Sequence, residues 1–262
     1  MYGDATIYTD ISGEFKTMYM MDVQVGASLT WDGPTLDSDG SCDGINVNQQ
    51  AELHIKSGTI QFVRDAVYSN GTVTMDGGLI QHVSQNGIVA AFRSKVYVNG
   101  GILYNGGNKL LNVETNGYAE VNEGATFKAS RSDAIFNAGD LNVYGGTICD
   151  TTGYGINTEG KLNIEYKGEK KDGYIEMYNI GTIAVRMTSS EDCYISDVHA
   201  VNVGTNGVYT TDLRSNGKTT VENCILDTCA INDGAAISVS RKVVIKDVQI
   251  LKLLRLCRAD SF

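Results

Sequence analysis

One short pattern recurs along almost the whole chain: apolar and polar residues alternate, and a glycine-bearing bend closes the unit before the next apolar residue. It reads LHIKSGTI at 53–60, VTMDGGLI at 73–80, VYVNGGIL at 96–103 and LNVYGGTI at 141–148. Looser copies begin at Ala119, Leu162, Cys193, Thr219 and Val243, so successive starts are 20, 23, 23, 22, 21, 31, 26 and 24 residues apart. A period in the low twenties with strand-type alternation inside each unit is the mark of a solenoid, in which each unit buries its apolar face only by stacking on its neighbours.

Within each unit the first and third positions are apolar, as in Leu53/Ile55, Val73/Met75, Val96/Val98 and Leu141/Val143. The second and fourth are polar or mixed, as in His54/Lys56, Thr74/Asp76 and Tyr97/Asn99. Such alternation sends one set inward and the other to solvent. A second apolar point follows in most units, for example Ala66/Val67, Ile88/Val89, Ala134/Ile135 and Gly207/Val208, and a corner then precedes the next unit. Asn70-Gly71, Asn116-Gly117, Asn216-Gly217, Ala138-Gly139 and Glu159-Gly160 occupy these corners, where Asn and Gly accept positive φ at low cost. Equivalent strands recur once per circuit, so they pair in parallel, and the chirality of parallel connections predicts a right-handed coil. The expectation is an all-β, right-handed parallel β-helix of about nine to ten coils, with a dry interior of stacked Val, Ile, Leu and Met. About nine circuits at ~4.8 Å each give a rod of about 45 Å.

The 262 residues therefore read as a single β-helix domain, with regular coils over about 22–250 and a cap or truncated tail at 251–262. Ala5 to Tyr8 and Val23 to Val25 read as further strands. The 30 glycines against one proline suit many tight bends without chain breaks. A formal charge of −10 and the lack of any basic run argue against nucleic acid or an anionic membrane as partner, because both are bound through Lys and Arg. No segment is long and apolar enough to span a bilayer. The first residues lack the basic and apolar regions of a secretory signal, and the chain reads as a piece of a longer exported protein. The six cysteines show no metal-finger spacing and read as small buried hydrophobes.

These repeats resemble the right-handed parallel β-helix superfamily typified by pectate lyases, and the Gly-Gly-Thr-Ile style of coil resembles repeats of bacterial cell-surface and adhesin-like proteins. The resemblance speaks for architecture, since this fold hosts lyases, hydrolases and passive stalks alike. Lyase-like chemistry implies clustered carboxylates holding Ca²⁺ beside an Arg or Lys base. Hydrolase-like chemistry implies Asn-Thr-Asp, Asp-Asp, His-Gly and Arg-x-Lys elements in that order. This chain offers only Arg93 with Lys95 and, later, Asn157 to Glu159, in the wrong order and without Asp-Asp or His-Gly.

Function in a solenoid sits where the repeat breaks, and three places qualify. Asp37, Asp39 and Asp43 form a D-x-D-G-x-x-D spacing that resembles calcium-wrapping loops, though without a distal bidentate Glu. The longest unit carries charges of alternating sign at 166–173, the pattern of a solvated loop. Residues 212–216 open a third long unit. The fourth-position column, Lys56, Asp76, Asn99, Asn122, Tyr144, Glu165, Ser196, Glu222 and Lys246, separates its acids with neutral residues and builds no catalytic pair. Asp65 and Asp133 read as turn formers, and His54, His82 and His199 are dispersed. Of the 14 tyrosines, Tyr97, Tyr144 and Tyr194 face outward by the alternation and suit stacking on sugar rings. The sequence thus favours a non-catalytic structural or adhesive segment, extracellular or at a cell surface, presenting one face to a glycan or a cell-surface protein. The alternative is a lyase or hydrolase acting on uronate-containing polysaccharides.

Overall fold

The computed structural model describes residues 19–170, 173–211 and 217–252. Its 28 strands wind into ten stacked circuits, and every strand pairing is parallel. Each circuit lays one strand on each of three faces. In the third circuit these are Val67–Ser69 on the first face, Thr72–Met75 on the second and Leu79–Val83 on the third. In the fourth and fifth circuits a single strand, Lys95–Gly106 or Tyr118–Lys128, runs through the corner between the second and third faces. The described residues contain no helix.

Register confirms the repeat residue by residue. On the second face Leu29, Leu53, Val73, Val96, Ala119, Leu141, Leu162, Cys193, Thr219 and Val243 form one continuous column. Every unit start read from the sequence lies in it. Leu29 adds a circuit that the spacing of unit starts leaves out: residues 29–36 read LTWDGPTL, with the left-handed glycine at Gly33 and Pro34 in place of the second bend residue. On the first face Leu111–Val113 and Ile183–Met187 also stand where the sequence reading found no second apolar point. Leu110 stands there in place of the small residue, and Ile183 in place of the polar residue that precedes Ala184 and Val185.

Fully buried aliphatic columns run down all three faces, each side chain contributing roughly 1.5–3 kcal/mol on burial. Bulk is balanced between circuits: Phe127 and Ala200 occupy the same column on the third face. The interior is not wholly apolar, which amends the expectation of a core made of stacked Val, Ile, Leu and Met. Ser69, Asn137, Thr158 and Thr210 point inward along one first-face column. Asn137 satisfies its amide there by donating to Thr158 Oγ1 at 2.9 Å and to the Lys161 carbonyl at 2.8 Å. Its Oδ1 accepts the Gly139 N–H at 3.0 Å, so a buried polar group costs little.

The corner glycines have a different cause from the one expected. Gly160 is not in the left-handed region; a Cβ there would lie 2.1 Å from the Gly139 carbonyl oxygen one circuit below. Stacking of successive backbones, rather than positive φ, demands glycine at this corner. At the next corner the demand is conformational, and Gly78 and Gly101 adopt φ of 84° and 88°.

Candidate functional site

The outward residues of the second face form three parallel lanes, because in-register strands place equivalent side chains about 4.8 Å apart. One lane is a hydrogen-bonded ladder: Asn99 Nδ2 donates to Asp76 Oδ1 at 2.7 Å and Asn122 Nδ2 to Asn99 Oδ1 at 2.8 Å. Asn122 also donates to Glu120 Oε1 at 3.0 Å, and Tyr118 gives its hydroxyl proton to Glu120 Oε2 at 3.0 Å. Burial, then Glu120, pushes the Tyr118 hydroxyl pKa strongly upward. The Tyr97 and Tyr118 rings lie 5.9 Å apart. Further along the rod, Tyr194 donates to Glu222 Oε1 at 2.5 Å, and Lys246 approaches Glu222 Oε2 at 3.2 Å. The Tyr194 bond, followed by Lys246, holds the Glu222 carboxyl below the usual range.

Between these tyrosine clusters the central lane narrows to Asn142 and Asn163, in register with Glu120 on one side and Tyr194 on the other. The short side chains leave an open depression of about 440 Å³, walled by Lys161, Asp192, Tyr194 and Lys218. Its charges alternate in sign: Lys161 lies 3.5 Å from Asp140, and Asp192 accepts the Lys218 N–H at 2.7 Å.

The described part of the longest unit is exposed, as its charges predict, with Lys167, Glu169 and Lys170 at the surface, but it is tethered. Residues 165–170 fold back toward the fifth circuit. Tyr166 donates its hydroxyl to Glu123 Oε1 at 2.6 Å, and the Glu169 N–H donates to Glu123 Oε2 at 3.0 Å. These bonds, with Lys170 nearby, hold the Glu123 carboxyl below its ordinary value. Lys167 crosses the Tyr144 ring at 3.9 Å and meets Glu165 at 3.1 Å. The fold-back encloses a pocket of about 260 Å³ lined by Glu123, Thr147, Tyr166, Lys170, Tyr174 and Glu176. Behind it Glu176 Oε2 meets His199 Nδ1 at 2.9 Å, and the Tyr174 ring meets the His199 ring edge-on at 6.2 Å.

The sequence columns missed this pair of carboxylates. Glu123 is an inserted corner residue: Ile102 is four positions after Val98, whereas its partner Thr126 is five after Val121. That insertion is visible in the sequence once the units are aligned. Glu176 lies on the third face, where no column was read.

The three aspartates of the expected calcium loop serve separate partners. Asp43 accepts both Arg64 Nε at 2.8 Å and Nη2 at 2.6 Å. Asp37 accepts from Gln61 at 3.1 Å on the third face, and Asp39 accepts the Ser41 N–H at 2.9 Å. Among the described residues no three His, Cys, Asp or Glu side chains are grouped to hold a metal ion. Asp65 and Asp133 do hold corners: Asp65 Oδ1 accepts the Asn86 N–H at 2.9 Å and Asp133 Oδ1 the Tyr154 N–H at 3.3 Å, each one circuit on. His54, His82 and His199 belong to three different environments, beside Glu52, between Phe62 and Tyr104, and beside Glu176. Residues 5–8 and 212–216, and the tail from 253 onward, lie outside the described residues.

The fold defines the chain as a parallel β-solenoid. No protein-family model, no curated protein and no solved structure matches it.

Proposed function

We propose that this chain is a structural and adhesive segment of a bacterial surface or secreted protein that holds a glycan along its second face. The observation that carries this reading is the open depression floored by Asn142 and Asn163 and walled by Tyr194, with the Tyr97–Tyr118 pair on the preceding circuits of the same face. Tyrosine rings offer flat apolar area with a polar tip, and the amides and alternating charges offer donors and acceptors to ring hydroxyls. Side-chain bonds tie the outward residues on either side of the depression, from Asp76 to Glu120 and from Tyr194 to Lys246, without closing it. The ten-circuit parallel rod suits a pectate lyase-like scaffold of the adhesin-like kind, and a long exposed face serves display outside the cell. Asn163→Trp fills the depression from an outward position, so it leaves the core untouched. Titration of the wild type with soluble oligosaccharides of cellulose, chitin, xylan and pectin should show binding that Asn163→Trp weakens about ten-fold or more. Binding to none of them, or binding that Asn163→Trp leaves unchanged, overturns the reading.

The alternative, a lyase or hydrolase of uronate polymers, draws on Glu123 and Glu176 lining one pocket, since glycoside hydrolysis uses a carboxylate pair. Against it, both Glu123 oxygens are committed to the loop. Reducing-sugar release from polygalacturonate that Glu176→Gln abolishes would favour the enzyme.

A further inference from the structure

We propose that the pocket bordered by Glu123, Tyr166, Lys170, Tyr174 and Glu176 is a separate binding site for one amine-bearing sugar ring. It lies at the third face, by Thr147 and Glu176, and shares no lining residue with the second-face depression, so it stands independently of the glycan reading above. At about 260 Å³ it is smaller than the roughly 300–1,000 Å³ of sites for drug-sized ligands, and it has room for one ring rather than a chain.

The chemistry of its lining selects the ligand. Two carboxylates, Glu123 and Glu176, face one cation, Lys170. Glu123 is taken by Tyr166 and the Glu169 N–H, and Lys170 adds to the electrostatic hold on it. Glu176 is half-exposed and bound through Oε2 to His199. It is therefore the carboxylate placed for a ligand ammonium, through a charge-assisted hydrogen bond. Tyr174 supplies a ring face and Thr147 a hydroxyl, which suit the apolar face and the hydroxyls of a sugar. The carboxylate excess disfavours a uronate.

The test is NMR titration of the full chain with glucosamine, glucose and galacturonate as probes. Glucosamine is expected to shift the Tyr174 and Glu176 amides and to bind most tightly, with galacturonate weakest. Glu176→Gln should weaken glucosamine about ten-fold while changing glucose little, and Tyr174→Ala should weaken both. Asn163→Trp, on the other face, should change neither, which separates failure of this site from failure of the second-face reading. Absence of glucosamine binding, galacturonate binding as tight as glucosamine, or glucosamine affinity unchanged in Glu176→Gln overturns the proposal.

Discussion

At the scale of single residues, the corner leaving the third face makes a demand that the sequence conceals. Phe62, His82, Asn105, Ala129, Asp150, Asn179, Asn202, Thr228 and Lys252 each follow one outward register column, and each adopts φ between 44° and 59°. Nine of the ten circuits therefore turn this corner through one left-handed residue, the first circuit, at Ser38, being the exception. Asn and Asp suit it, and Asn202 donates to Asn179 at 2.6 Å while Asn179 donates to Asp150 at 2.8 Å. Phe62, Ala129 and Thr228 suit it poorly, since a Cβ in this region costs roughly 1–2 kcal/mol. They give the sequence reader no signal, because the stack imposes the conformation whatever side chain is present. Ala129→Gly removes that strain against a smaller entropic loss in the unfolded chain. It should stabilise the protein by up to about 1 kcal/mol, read as a raised urea midpoint at constant slope; a lower midpoint would deny the strain. The same scale explains why the depression was only half legible. Tyr97 and Tyr194 were readable as outward, but a hollow depends on the sizes of neighbours in three lanes at once, and the lane through Lys161 and Lys218 lies outside the eight-residue motif.

At the scale of elements, two polar devices hold strands and loop. Asn137 ties its own corner to the next circuit from inside the core, so Asn137→Ala leaves the Gly139 N–H and the Lys161 carbonyl without that partner. A loss of about 1–3 kcal/mol in chemical denaturation is expected, far more than an outward change such as Asn142→Ala should produce. Glu123 ties the 165–170 segment to the fifth circuit as a carboxylate. Its folded pKa is depressed below an ordinary value of 4.5, so its contribution is fully present above that value and is lost as pH falls through the lower folded one. The Glu169 amide resonance should stay constant from neutral pH down to about 5 and then move toward a released position on acidification. In Glu123→Gln that acid-dependent movement should vanish. An amide that shifts equally in both proteins would separate the loop from this carboxylate. The alternating charges at 166–173 suggested a solvated loop because charge pattern reports solvation and not the distant corner residue that receives it.

At the scale of the whole molecule, periodicity is what the sequence carries best. Apolar residues at a fixed offset in each unit are a direct image of stacked circuits, and the second-face column places all of them. The interior then supplies most of the driving force through continuous burial, and the exterior is free to vary, which is why architecture was readable and ligand chemistry was not. Exposed Ile245 and Ile250 at the last described circuit belong to the same columns that are sealed lower in the rod, where each circuit is covered by the next.

Methyl–methyl NOE spectroscopy on protein labelled at Ala, Ile, Leu and Val tests the stacking most directly. A chain of cross-peaks should link Leu53 to Val73, Val73 to Val96, Val96 to Ala119, Ala119 to Leu141 and Leu141 to Leu162. No peak should join Val73 to Leu141, which lie three circuits and about 14 Å apart. A missing ladder, or a direct Val73–Leu141 contact, would contradict the coil and everything built on its faces.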